Sequence, residues 1–117
     1  MTPEGKVKAQ VKALLKARKV WCYMPVQNGM GVVGIPDLIA CAPVEITQEM
    51  VGQKLGVFMG IETKAPGKAK NTTPNQKRHL ENIHVAGGVA VVAADSQVVE
   101  DALTRLQQYG ECIYSVP

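Results

Sequence analysis

The sequence predicts an α/β domain: a mixed central sheet flanked by helices. Three observations carry that expectation. Val89 to Ala94 is an unbroken apolar run of strand length, as a strand buried on both faces requires. Gly56 to Lys64 alternates Val57, Met59 and Ile61 against Phe58, Gly60 and Glu62, the period of two of a strand. Helical periodicity with clean start and stop signals surrounds both segments. Read in order, the chain runs α-β-β-β-α-β-α.

The first helix opens with Thr2 as N-cap and Pro3 at the first helical position, where the missing N–H of proline costs nothing. Val7, Val11, Leu14 and Leu15 then recur at helical spacing and predict an inward stripe with lysines opposite. Glu4 falls at the N-terminal end of that stripe. Val20-Trp21-Cys22-Tyr23-Met24 reads as a first strand, stopped by Pro25. A glycine-rich loop from Val26 to Gly34 leads to a second strand, Asp37 to Ala42, closed by Pro43. Residues 44–55 form an excursion with a short helix after Thr47 and a break at Gly52. The third strand is Gly56 to Lys64.

The polar, basic loop Ala65 to Thr72 precedes a second helix. Thr73-Pro74-Asn75-Gln76 places Thr at N-cap, Pro at N1 and Gln at N3, a capping box. This helix runs through Leu80 and Ile83 and stops at Gly87-Gly88. A third helix begins at Asp95 or Ser96, turns Val99, Ala102, Leu103 and Leu106 inward, and ends at Gly110. The tail from Cys112 to Val116 is a candidate edge strand. No repeat or low-complexity segment interrupts the pattern.

With 117 residues the chain has the size of one domain, 1–117, able to bury a core without staples. No apolar run reaches a membrane span, and the first residues lack the apolar stretch of a signal peptide. A cytoplasmic protein is the expectation. Cys22, Cys41 and Cys112 are odd in number and lack metal-ligand or disulfide spacing. Cys22 and Cys41 read as small buried hydrophobes. His79 and His84, five apart on different helix faces, suit neither a metal site nor a catalytic base.

Charge is uneven. Residues 1–80 hold 12 Lys/Arg against 5 Asp/Glu, whereas residues 81–117 hold 1 against 5. A basic half beside acidic strand residues suits a polyanionic partner; a solvated lysine-rich helix face is the plainer alternative. Lys68, Lys70, Lys77 and Arg78 are the candidates for phosphate contacts. Asn28 and Gly29 read as turn residues.

The chemistry concentrates in Gly34-Ile35-Pro36-Asp37-Leu38-Ile39 and Gly60-Ile61-Glu62-Thr63-Lys64. Residues two apart on a strand lie roughly 6.5–7 Å apart on one face, so Glu62 and Lys64 point together and Thr63 points opposite. Two carboxylates and a lysine in apolar strands fit a divalent-cation site beside a catalytic group. Other readings stand at this point. Asp37 after proline is also a turn acid, Glu62 and Lys64 also a same-face ion pair worth little, and Glu4 also a helix-dipole acid. Gln76 has two compatible roles, one in the capping box and one at the site.

These residues, in this order, resemble the PD-(D/E)XK nuclease superfamily, and among its branches the small phage and prophage type of the VRR-NUC domain. The likeness spans nearly the whole chain. It implies a restriction-endonuclease-like core, αβββαβ with a further C-terminal helix. It also implies Mg²⁺ or Mn²⁺ held by Asp37, Glu62 and the Thr63 carbonyl, polarising the scissile phosphate and acidifying a water. Lys64 would place the nucleophile and offset developing charge. Gln76 would bond a water or a phosphate oxygen, and Glu4 would hold a metal-bound water or a second ion. Hydrolysis would leave 5′-phosphate and 3′-hydroxyl ends.

No DNA-reading motif accompanies this core, so substrate shape and backbone charge are the expected sources of selectivity. One core carries one site, and symmetric cutting of two strands requires a two-fold dimer. The resemblance implies a homodimer acting on four-way (Holliday) junctions of DNA, without a membrane partner. A flap or single-strand nuclease, or a non-catalytic nucleic-acid-binding module, are the alternatives. Met50, Val51 and Leu55 of the excursion, and the C-terminal tail, are candidate dimer surfaces.

Overall fold

The computed structural model describes residues 1–26, 34 and 36–117. It belongs to the α/β class, with three α-helices and two small sheets among the described residues. Contacts divide the chain into two compact units, Met1–Ala42 and Pro43–Pro117. Among the described residues no helix is long and apolar enough to cross a membrane.

In the first unit, α1 spans Pro3–Ala17. The Thr2 hydroxyl accepts from the Gly5 N–H at 3.0 Å, the cap that the sequence predicts. β1 (Trp21–Tyr23) pairs antiparallel with β2 (Ile39–Cys41), Cys22 opposite Ala40. The rings of Trp21 and Tyr23 lie 5.5 Å apart on this pair. Two expectations need correction here. α1 buries none of its residues, and Val7 and Leu14 of the expected inward stripe are more than half exposed. A helix and a two-stranded ribbon of three residues per strand offer too little apolar surface to cover that stripe. Asp37 lies in a bend two residues ahead of β2 instead of opening it. Asn28 and Gly29, like Ile35, lie outside the described residues.

The second unit begins with the excursion, which holds a 3₁₀ turn at Gln48–Met50 and a left-handed Gly52. Its sheet follows: β3 (Met59–Thr63), β4 (Val89–Ala93) and β5 (Tyr114–Ser115), parallel and in that spatial order. Pairing therefore yields an antiparallel ribbon and a separate parallel sheet, where the sequence predicted one mixed sheet. β3 is the outer strand of its sheet.

β4 is buried along its whole length, and its alternation splits the core in two. Ala90 and Val92 pack with Leu80 of α2 (Pro74–Val85) on one face. Val89 and Val91 pack with Ala102 of α3 (Ser96–Tyr109) on the other. Helices on opposite faces of three parallel strands in sequence order require crossovers of opposite hand. One of them departs from the right-handed rule.

The approach of α2 to the sheet depends on two glycines. A Cβ at Gly60 would stand 2.7 Å from Ile83 Cδ1, and one at Gly88 would stand 2.8 Å from both Ile83 Cγ2 and the Phe58 carbonyl oxygen. Gly60 and Glu62, two apart on β3, thus share the face on which α2 lies. α3 starts at Asp95, whose Oδ1 accepts from the Val98 N–H at 3.3 Å, and stops at Gly110 in the left-handed region, φ 66°.

Candidate functional site

Glu62 lies at the C-terminal end of β3, opposite Val92, and Lys64 follows one residue past the strand. The Lys64 N–H donates to the Ala93 carbonyl at 2.9 Å, which extends the ladder and fixes the lysine backbone. C-terminal strand ends are where open α/β sheets bind ligands.

The N-terminus of α2 meets this strand end through Gln76. The Gln76 N–H donates to Thr73 Oγ1 at 3.1 Å, and Gln76 Oε1 accepts from the Thr73 N–H at 3.0 Å. The capping box read from the sequence is formed in full. The same Oε1 also accepts from Lys64 Nζ at 3.0 Å, and Nε2 donates to Glu62 Oε1 at 3.0 Å. This network fixes the amide orientation. Two donors meet one end of the side chain and a carboxylate meets the other, so a flipped amide would face like against like at three contacts.

Glu62 and Lys64 also stand 3.8 Å apart as an ion pair, their side chains 31% and 17% exposed. That distance makes the direct pair weak. The hydrogen bonds through Gln76 hold the two charges instead, each worth about 1.5–3 kcal/mol because one partner is ionised. Glu62, Lys64 and Gln76 are therefore brought together, the Gln76 side chain bonding the Thr73 N–H and both charged partners at once.

Thr63 is exposed, on the sheet face away from Glu62. Lys68, Lys70, Lys77 and Arg78 are all exposed, and no acidic residue falls between Glu62 and Glu81. The loop is not without order: buried Thr72 donates its hydroxyl to the Ala69 carbonyl at 2.9 Å, closing a 3₁₀ turn at Ala69–Asn71. In the first unit, Asp37 stands 3.9 Å from Lys8 Nζ, with side chains 52% and 37% exposed. Glu4 is exposed in the first turn of α1 and does not point inward.

Among the described residues, no group of three His, Cys, Asp or Glu side chains gathers as a metal cage. The Glu62 carboxylate and the Thr63 carbonyl are hard oxygen donors. They suit Mg²⁺, which keeps several waters and takes one or two carboxylates with substrate phosphate.

Sequence reading missed one feature. Beside Thr63 and Lys64 lies an open depression of about 600 Å³ at the junction of β3, β4 and α3. Ala93, Ala94, Val99 and Leu103 line it together with Asp95, Ser96 and Glu100. The sequence marked Asp95 only as a helix start and Val99 and Leu103 only as helix core. His84 packs its ring 5.2 Å from that of Tyr114, with its buried Nδ1 unbonded among the described residues. All three cysteines are free thiols.

Comparison with protein-family models, with curated proteins and with solved structures finds no match to this chain.

Proposed function

We propose that the chain is a metal-dependent, structure-selective DNA endonuclease with a restriction-endonuclease-like core over residues 1–117. The observation that carries this reading is the Gln76 amide, which holds a carboxylate and an ammonium at one strand end beside an acid-free basic segment. A purely structural capping box has no need of either charge.

On this reading Glu62, through its second oxygen, and the Thr63 carbonyl take part in holding Mg²⁺ or Mn²⁺; the resemblance assigns Asp37 as the other carboxylate. The ion supplies Lewis-acid polarisation of the phosphodiester. Lys64, steered by Gln76, places the attacking water and offsets negative charge on the phosphoryl oxygens. Gln76 keeps the lysine and the carboxylate from collapsing into a closer pair. Lys68, Lys70, Lys77 and Arg78 hold the DNA backbone without reading sequence. Glu4 is the residue for a metal-bound water or a second ion.

The proposed substrate is a four-way junction cut by a homodimer. Exposed Val51 and Leu55 in the excursion support a self-association surface. The test is cleavage of labelled four-way junction, flap and single-stranded DNA in Mg²⁺, in Mn²⁺ and in EDTA, with molar mass measured in parallel. Preferential metal-dependent cutting of the junction by a dimer is expected. Preference for flap or single strand would move the substrate, and binding without cutting of any DNA would replace the enzyme with a binding module.

A further inference from the structure

Trp21 and Tyr23, two apart on β1, share one face of the antiparallel ribbon. Their rings lie 5.5 Å apart, tilted by 48°, so Trp21 supports the ring of Tyr23 from one side. Burial falls off along this face. Cys41, opposite Trp21, is buried, whereas Tyr23 at the other end of the strand is 48% exposed. A supported aromatic ring open to solvent offers a flat surface to another π system.

Cations stand beside this face. Arg18 is the C-cap of α1 and Lys19 follows it, two residues from Trp21, which limits the Cα separation to about 7 Å. Lys19 takes the left-handed conformation, φ 57°, as the helix closes. Its N–H donates to the Lys16 carbonyl at 3.1 Å, and that of Val20 donates to the Leu15 carbonyl at 2.9 Å. Glycine is the residue this closure favours, so a lysine held in a strained conformation points to a use for its side chain. The first unit also brings no acid to this end. Its carboxylates are Glu4 and Asp37, against Lys6, Lys8, Lys12, Lys16, Arg18 and Lys19. Glu4 is in the first turn of α1, about 21 Å along the axis from Arg18, and Asp37 stands 3.9 Å from Lys8 Nζ.

An aromatic surface beside cations with no acid near fits a polymer of alternating flat rings and negative charges. A single-stranded polynucleotide is such a polymer: its bases stack on exposed rings while Lys and Arg follow its phosphates. A duplex keeps its bases within its own stack. We propose that the Trp21–Tyr23 face, with Arg18 and Lys19 beside it, binds an unpaired polynucleotide strand. One base stacks on Tyr23 and a neighbouring phosphate meets Lys19. The site lies wholly within Met1–Ala42 and does not depend on the nuclease reading, which is carried by the Gln76 network of the second unit.

Trp21 is the single tryptophan of the chain, so its emission reports on this face. The test is titration of the full chain in EDTA with oligo(dT), with oligo(U) and with a duplex of the same length. Quenching by the single strands and not by the duplex is expected, and the tighter of the two single strands names DNA or RNA as the source. Tyr23→Ala should weaken single-strand binding roughly 5–150-fold, the worth of one base stacked on an aromatic ring, and Tyr23→Phe should restore it. Lys19→Gly should lower the salt slope of log K by about 0.7, one phosphate contact of a single strand. Its thermal midpoint should stay level or rise, because glycine adopts a positive φ without strain. Single-strand binding that leaves Trp21 emission unchanged, wild-type affinity in Tyr23→Ala, or an unchanged slope in Lys19→Gly would overturn the proposal. Metal-dependent cleavage by a protein that fails this titration would leave the nuclease reading standing, and quenching without cleavage of any DNA would leave the strand site standing.

Discussion

Gln76 Nε2 donates to Glu62 Oε1 at 3.0 Å, across fourteen residues of chain. This bond ties the start of α2 to the end of β3, and it orients the carboxylate through the same side chain that caps the helix. Helix stability and site geometry thus share one residue, which makes the two effects separable by choosing which bond to cut.

Thr73→Ala removes the cap acceptor and leaves Gln76 bonded to Glu62 and Lys64. It should lower stability by about 1 kcal/mol and change little else. Gln76→Ala keeps the backbone N–H bond to Thr73 Oγ1 but loses the side-chain half of the capping box and both charge contacts. It should lower stability further and cut activity by about 10–100-fold, the usual cost of removing a group that orients a metal ligand. Thermal unfolding and cleavage rates on the two variants check this. Equal activity loss in both would mean that the cap alone matters.

Gly88→Ala should be more damaging than Gly60→Ala. At Gly88 the new Cβ meets the Phe58 carbonyl oxygen at 2.8 Å, backbone that cannot step aside; at Gly60 it meets the side-chain ends of Ile83 and Leu80. Overpacking of this kind costs roughly 1–3 kcal/mol. Denaturant midpoints rank the two, and the reverse order would contradict the packing described.

Much of the second unit was readable from local chemistry. The Thr73–Gln76 box, the Gly87-Gly88 stop, the all-apolar Val89 run and the Gly110 terminus each follow from rules acting over a few residues. The shared face of Glu62 and Lys64 follows from strand period. What the sequence did not reveal needed tertiary information. Gln76 is twelve and fourteen residues from its two charged partners, and no local pattern links them. The depression forms only because α3 lies on the face of the sheet opposite α2. The α1 stripe misled because amphipathic spacing promises a partner without supplying the area to cover it.

The four exposed cations Lys68, Lys70, Lys77 and Arg78 should bind DNA through phosphates alone. Substituting each by Ala should weaken binding evenly across sequences. Each true phosphate contact removed should reduce the salt slope of log K by about 0.9 for duplex DNA. Binding titrations over a salt series provide the measurement. An unchanged slope in the fourfold variant would assign these side chains to solvent.

Cys41, buried in β2, has a thiol pKa raised above its reference of 9.0 by desolvation. The folded state therefore holds the thiol proton more tightly than the unfolded chain does. Its contribution to stability is full below pH 9.0 and is lost as pH rises from there through the folded-state value. Cys41→Ala should lessen this part of the alkaline loss, read from denaturation midpoints across that range. An identical alkaline slope in the variant would contradict it.

Whether Glu62 serves metal-dependent phosphodiester hydrolysis is decided by cleavage of a labelled four-way junction by wild-type and folded Glu62→Ala protein. Cutting by the wild type in Mg²⁺ or Mn²⁺ is expected, with none in EDTA and none by Glu62→Ala although it still binds the junction. Metal-dependent cutting by Glu62→Ala at the wild-type rate would contradict that role.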